Sequence, residues 1–158
     1  MQKPKLIPSQ DWQFQTNAEA EEFSKTLVET MQSANLPAIS APYLGDYRRV
    51  IAIQSEPIYV LFNPVITANL GDPVMMEEFD DFKPGYSVSI TRYQGLRLRF
   101  QDHFGTSHTK KFVGLTARYI WHQMAYLDGY KFDSGVSRIQ RSRAKTRYEK
   151  RKKKLLQV

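Results

Sequence analysis

The chain contains no cysteine, which excludes a disulfide framework and any thiolate metal ligand. Long apolar runs are missing too. Stretches such as Tyr59-Val60-Leu61-Phe62 fall far short of the roughly 20 apolar residues that a membrane-spanning helix requires. The opening Met1-Gln2-Lys3-Pro4-Lys5 leads into no apolar segment of signal-peptide length. These absences point to a soluble protein of the cytoplasm, with no role in a membrane. At 158 residues the chain is long enough to bury one core without covalent staples.

Charge of one sign is scarce at one end. Residues 138–158 hold ten Lys and Arg against one acid, Glu149. The whole chain carries +7, so residues 1–137 carry a net −2. The pattern divides the chain into a body, 1–137, and a basic C-terminal tail, 138–158. A field that concentrated suits a polyanion or an acidic protein surface.

Within the body, Thr16-Asn17-Ala18-Glu19 has the spacing of a capping box. Phe23, Leu27 and Met31 follow at four-residue intervals, predicting a helix over 17–33 with one buried face. Val50-Ile51-Ala52-Ile53 and Tyr59-Val60-Leu61-Phe62 read as short buried strands. Residues 69–85, with Gly71, Pro73, Pro84, Gly85 and five acids, read as a long loop. From Tyr86 to Gln101 apolar Leu96, Leu98 and Phe100 alternate with Arg97, Arg99 and Gln101, the mark of a half-buried strand. A second helix is predicted over about 110–127, stopped at Asp128-Gly129. A helix, several strands and a long helix make an α+β domain with a mainly antiparallel sheet packed around that second helix.

Three segments carry a resemblance. Leu36-Pro37-Ala38-Ile39-Ser40-Ala41-Pro42-Tyr43-Leu44-Gly45, then Glu78-Phe79-Asp80-Asp81-Phe82, then Trp121-His122-Gln123-Met124-Ala125-Tyr126-Leu127-Asp128-Gly129 resemble, in order and spacing, the motifs G-x-G-L-A-A-x-Q, E-G-C-L-S and Q-H-E-x-D-H of the peptide deformylases. Asn63-Pro64, Arg92-Tyr93, Gln101-Asp102, Leu115, Ala117 and Arg118 fit the connecting text, so the likeness spans residues 16–132. It implies the deformylase-like α+β fold.

The same resemblance implies that the chemistry is depleted. The family binds a divalent metal through one Cys and two His, with a Glu as general acid/base and a Gln as oxyanion donor. The Cys position is Asp80, the Glu position Gln123, the second His position Tyr126 and the Gln position Tyr43; only His122 persists among the metal ligands. Gln123 transfers no proton, and a Tyr126 phenol with a pKa of about 10 is a poor ligand at neutral pH. Asp80, His122 and Tyr126 are weak candidates for a divalent metal and otherwise a hydrogen-bonded cluster; the expectation is no cofactor. Tyr43 and Tyr126 are read as filling the former pocket. His103 and His108 lie near a turn and form no metal spacing.

The tail cations are Arg138, Arg141, Arg143, Lys145, Arg147, Lys150, Arg151, Lys152, Lys153 and Lys154. With almost no apolar face, the tail is expected to contribute nothing to the core, being disordered or ordered only against an acidic partner. Three functions stand at this point. The first is an inactive deformylase-like binding module whose tail docks on RNA or a ribonucleoprotein such as the ribosome. The second is a structural or assembly component among the protein subunits of a large complex, a virion or a specialised ribosome. The third is a divergent metal-dependent peptide deformylase.

Overall fold

The computed structural model describes residues 1–157. Helix α1 (Asn17–Ser33) begins where the Thr16 hydroxyl accepts from the Glu19 amide at 3.2 Å. The reciprocal half of the expected capping box does not form: the Glu19 carboxylate instead pairs with Arg48 at 2.8 Å. Strands β1 (Ala38–Ser40), β2 (Val50–Ile53), β3 (Tyr59–Phe79), β4 (Ser87–Gln101) and β5 (Ser107–Val113) form one antiparallel sheet in chain order. Helix α2 (Gly114–Leu127) and helix α3 (Arg138–Leu156) complete the α+β chain.

The sheet is covered from two sides where it matters. Every residue of β2 is buried: Val50 and Ala52 join Leu27 and Met31 of α1, while Ile51 and Ile53 join Ile120, Met124 and Leu127 of α2. Alternation on a strand explains how four consecutive apolar residues serve two layers. Leu96, Leu98 and Phe100 of β4 add to the α2 layer.

Residues 69–85 were expected as a loop, yet most of them extend β3 to Phe79. Pairing with β4 tolerates Gly71 and Pro73 because the register shifts between Leu70 and Pro73, so that Gly71 lies within the irregularity and Pro73 at its edge, where pairing with Tyr93 resumes. A further shift between Phe62 and Val65 surrounds Asn63, whose backbone is left-handed (φ 50°). Its side chain accepts from the Trp12 amide at 2.7 Å and donates to the Trp12 carbonyl at 3.0 Å, tying the N-terminal segment to the sheet. Helix α2 begins at Gly114 rather than near 110, since 107–113 pair with β4 as β5. It ends at Leu127, and just beyond it Gly129 (φ 86°) donates its amide back to the Tyr126 carbonyl at 3.1 Å.

The basic segment corrects the expectation made for it. It is a helix laid against β4, with Ala144 buried in the core cluster and Tyr148 packed edge to face on Tyr86 at 5.7 Å. Small Ala144 and amphipathic Tyr148 supply the contact face that a count of apolar residues missed.

Candidate functional site

A buried carboxylate organises the centre. Glu78 is only 8% exposed. It receives a two-pronged pair from Arg92 and a bond from Arg118 at 3.0 Å, and its Oε1 lies 3.0 Å from His122 Nδ1. Burial pushes its pKa up, but the bonds from His122 and Arg92 and their charges outweigh this and hold it down at about 2. Arg118, also buried, donates further to the carbonyls of Val74, Met76 and Ile90. Burial pulls the Arg118 pKa down and the Glu78 charge opposes this. Against an ionised Glu78, which can only accept, His122 Nδ1 donates.

A second chain of bonds passes through Tyr43. Its ring is fully buried between Phe82 and Tyr126, edge to face at 4.8 and 5.6 Å. Its hydroxyl donates to Asp81 at 2.6 Å and accepts from the Gln123 side-chain amide at 3.0 Å; the same amide reaches the Ala38 carbonyl at 3.3 Å. Burial raises the pKa of both Tyr43 and Asp81, the Tyr43 bond opposing the rise in Asp81. Tyr43 is thus a proton donor held in one orientation.

The three metal candidates do not assemble into a ligand set. Asp80 accepts from the Phe82 amide at 2.8 Å through one oxygen and pairs with Lys131 at 3.4 Å through the other. Burial, with the charges of Asp80, Asp81 and Asp133, raises the Tyr126 phenol far above its usual pKa, so it does not ionise to bind a cation. His122 spends Nδ1 on Glu78 and stacks on Phe132 at 4.4 Å. Among the described residues no group of three His, Asp or Glu could hold a metal. The donors present do not fit the divalent ion that such a site would take, and nothing below is routed through one.

A cavity of about 310 Å³ remains beside these residues, lined by Glu78, Asp81, Arg118, His122 and Gln123 and walled by Pro37, Met76, Leu115 and Tyr119. His122 Nε2 and Gln123 Oε1 are buried without a hydrogen-bond partner among the described residues. Asp80, Tyr43 and Tyr126 do not line it.

The tail cations divide into two sets. Arg141 donates to the Asp133 carbonyl at 2.8 Å, and Arg151 to the Gly85 carbonyl at 3.0 Å and to Glu77 at 3.3 Å; Arg147 is half-buried. Ser87 and Arg151 hold the Glu77 carboxyl below its usual range, partly against burial. Arg138, Arg143, Lys145, Lys150, Lys152, Lys153 and Lys154 are exposed.

Sequence reasoning passed over Glu78, Asp81, Arg92 and Arg118 as functional positions. A signal for Glu78 was there: it is the one residue that keeps the Glu of the second motif, and an arginine on the apolar face of a strand (Arg92) and another within an apolar helix (Arg118) demand a carboxylate when buried.

Comparison with known proteins bears on the whole arrangement. The family model for polypeptide deformylase matches residues 4–142. A peptide deformylase-like protein of Brucella melitensis is 32% identical over 129 residues, covering 78% of this chain and 77% of its own length. A peptide deformylase of Hahella chejuensis is 31% identical over 132 residues, covering 80% and 78%. Among solved structures, the peptide deformylase of Synechococcus elongatus in complex with actinonin superposes with a TM-score of 0.79 at 27% identity, over 87% of this chain and 78% of that one. A probable peptide deformylase from Synechococcus phage S-SSM7 gives 0.74 at 26% identity, over 84% and 97%. With the family model matched over residues 4–142 and the motif segments gathered around one cavity, this chain belongs to the polypeptide deformylase family.

Proposed function

We propose that this deformylase-family chain binds rather than hydrolyses, and that it docks on RNA or a ribonucleoprotein through the outward face of α3. The observation that carries the first half is Gln123. It occupies the position of the acid/base Glu and has its amide committed to Tyr43 and Ala38. Removing a general acid/base costs about 10²–10⁴-fold, and an oxyanion donor about 10²–10³. The second half is supported by the exposed Arg138, Arg143, Lys145, Lys150, Lys152, Lys153 and Lys154 on a helix whose other face is seated on the body. A preformed basic helix meets phosphates without first ordering a coil.

The test is a salt titration of RNA binding by the full chain and by a variant with Arg143, Lys150, Lys153 and Lys154 changed to Gln. Each phosphate contact contributes roughly 0.7–0.9 to the slope of log K against log salt. The variant is expected to lose roughly 3 units of slope, since it lacks four such contacts. Equal binding by both proteins sinks the RNA reading. Stoichiometric protein partners that survive nuclease would favour the assembly role instead.

A second reading, a divergent peptide deformylase, is favoured by the names of relatives such as that of Hahella chejuensis and by the open cavity beside His122. Turnover of a formyl-Met peptide separates the two.

A further inference from the structure

The sheet carries a second basic surface, remote in sequence from the tail. Tyr93, Gly95, Arg97 and Arg99 alternate onto one face of β4, opposite the face where Leu96, Leu98 and Phe100 bury against α2. Strand β5 sets Lys111 directly across from Arg97 and Thr109 across from Arg99. Like charges directly opposite one another repel. The body's own ion pairs serve Arg48, Arg49, Arg92, Arg118 and Lys131, and none relieves Arg97, Arg99 or Lys111 among the described residues. Residues 1–137 carry a net −2, so acids are plentiful in the body and lie elsewhere.

Beside Lys111 a cleft of about 460 Å³ opens between Tyr93, Gly95 and Gly114. Tyr93 is 40% exposed. Gly95 itself is buried: a side chain there would come within 2.8 Å of the Phe112 carbonyl and 3.1 Å of Val113 Cγ1, so the strands pack closely under the cleft. A partly exposed tyrosine beside a cleft and cations spaced roughly 7 Å along a strand match what single-stranded nucleic acid asks of a protein: a plane for a base and charges for its phosphates.

We infer that this face binds a single-stranded nucleic-acid segment, Tyr93 stacking on a base while Arg97, Arg99 and Lys111 meet successive phosphates. It is a site separate from α3, though it shares with the proposed function the premise of a nucleic-acid partner.

The experiment titrates a short fluorescent oligouridine with four full-length proteins at several salt concentrations: the native chain, R97Q/R99Q/K111Q, Y93A, and the α3 variant described above. The triple variant is expected to lose about 2 units of salt slope, at roughly 0.7 per single-strand phosphate. Tyr93→Ala is expected to weaken binding by roughly five- to 150-fold with the slope unchanged, because stacking releases no counterion. Binding by the triple variant equal to that of the native chain overturns the inference, as does competition by polyglutamate at the potency of oligouridine. If the α3 variant binds like the native chain and the triple variant does not, the tail reading falls and this one stands. If only the α3 variant loses affinity, this one falls. No binding by the native chain overturns both.

Discussion

Gln123 hands its side-chain N–H to the hydroxyl of Tyr43, 3.0 Å away, across 80 residues of sequence. By the motif resemblance these are the positions of the family's proton-transfer group and oxyanion donor, and here they are bonded to each other. We expect no turnover of formyl-Met peptides with added iron, nickel, cobalt or zinc. Gln123→Glu alone is expected to stay inactive, because Tyr43 still fills its position. Tyr43→Gln, Asp80→Cys, Gln123→Glu and Tyr126→His together are the smallest set expected to revive it. A native rate within tenfold of an active relative's would refute this.

Glu78 makes stability depend on acid. Its folded pKa, about 2, lies below the ordinary 4.5. A depressed carboxylate contributes stability that is complete above the unfolded pKa and lost as pH falls through the folded one. The contribution is on the order of 3 kcal/mol, present in full above about pH 4.5 and gone near pH 2. Glu78→Gln is expected to cost roughly 3–5 kcal/mol at pH 7, because Arg118 stays buried without its counter-charge. It should also flatten the pH dependence between 4.5 and 2. Denaturant melts of both proteins across that range decide it.

Purified protein is expected to carry well under one equivalent of transition metal, since Asp80 is occupied by Lys131 and Phe82 and the Tyr126 phenol stays protonated. Elemental analysis showing a stoichiometric metal that His122→Ala abolishes would contradict it.

Gly129→Ala should destabilise the body. The residue is left-handed, and a Cβ would fall 2.8 Å from the Pro8 nitrogen and 2.9 Å from the Ile7 carbonyl carbon. Backbone conformation alone costs roughly 1–2 kcal/mol. With the clash, a Tm drop of roughly 4–8 °C is expected. Gly135→Ala, which meets open space, is the control and should shift Tm little.

Ala144→Arg is expected to lift α3 from β4, because a buried methyl position would have to take a charged side chain. Amide exchange should then speed up across 138–156 and around Tyr86, while α1 and α2 stay protected. Unchanged exchange in α3 would show that its seat on the body is not held by this contact.

The fold was legible because the chain's periodicities are strong where burial is two-sided: Val50 to Ile53 and Leu96 to Phe100 could hardly be anything but strands. Residues 69–79 were misread because Gly71 and Pro73 are loop residues by local chemistry, and only the bulges that absorb them, set by pairing with β4, make them strand. The motif positions Tyr43, Asp80, His122, Gln123 and Tyr126 were placed from the resemblance alone. Their partners were not, since Lys131 at Asp80, Glu78 at His122 and Asp81 at Tyr43 are tertiary facts. The α3 contact face hid behind its charge, where one alanine and one tyrosine decide the packing.

The separations across the site set an order of events during synthesis. The bonds from Gln123 reach back 80 residues to Tyr43 and 85 to Ala38, and that between His122 and Glu78 spans 44. A chain growing from its N-terminus can pair β1, β2 and β3 as they emerge, but Tyr43 waits without its amide partner until α2 has left the exit tunnel. Contacts so distant in sequence are slow to close. The cavity therefore cannot close before α2 docks, since His122 and Gln123 supply part of its lining.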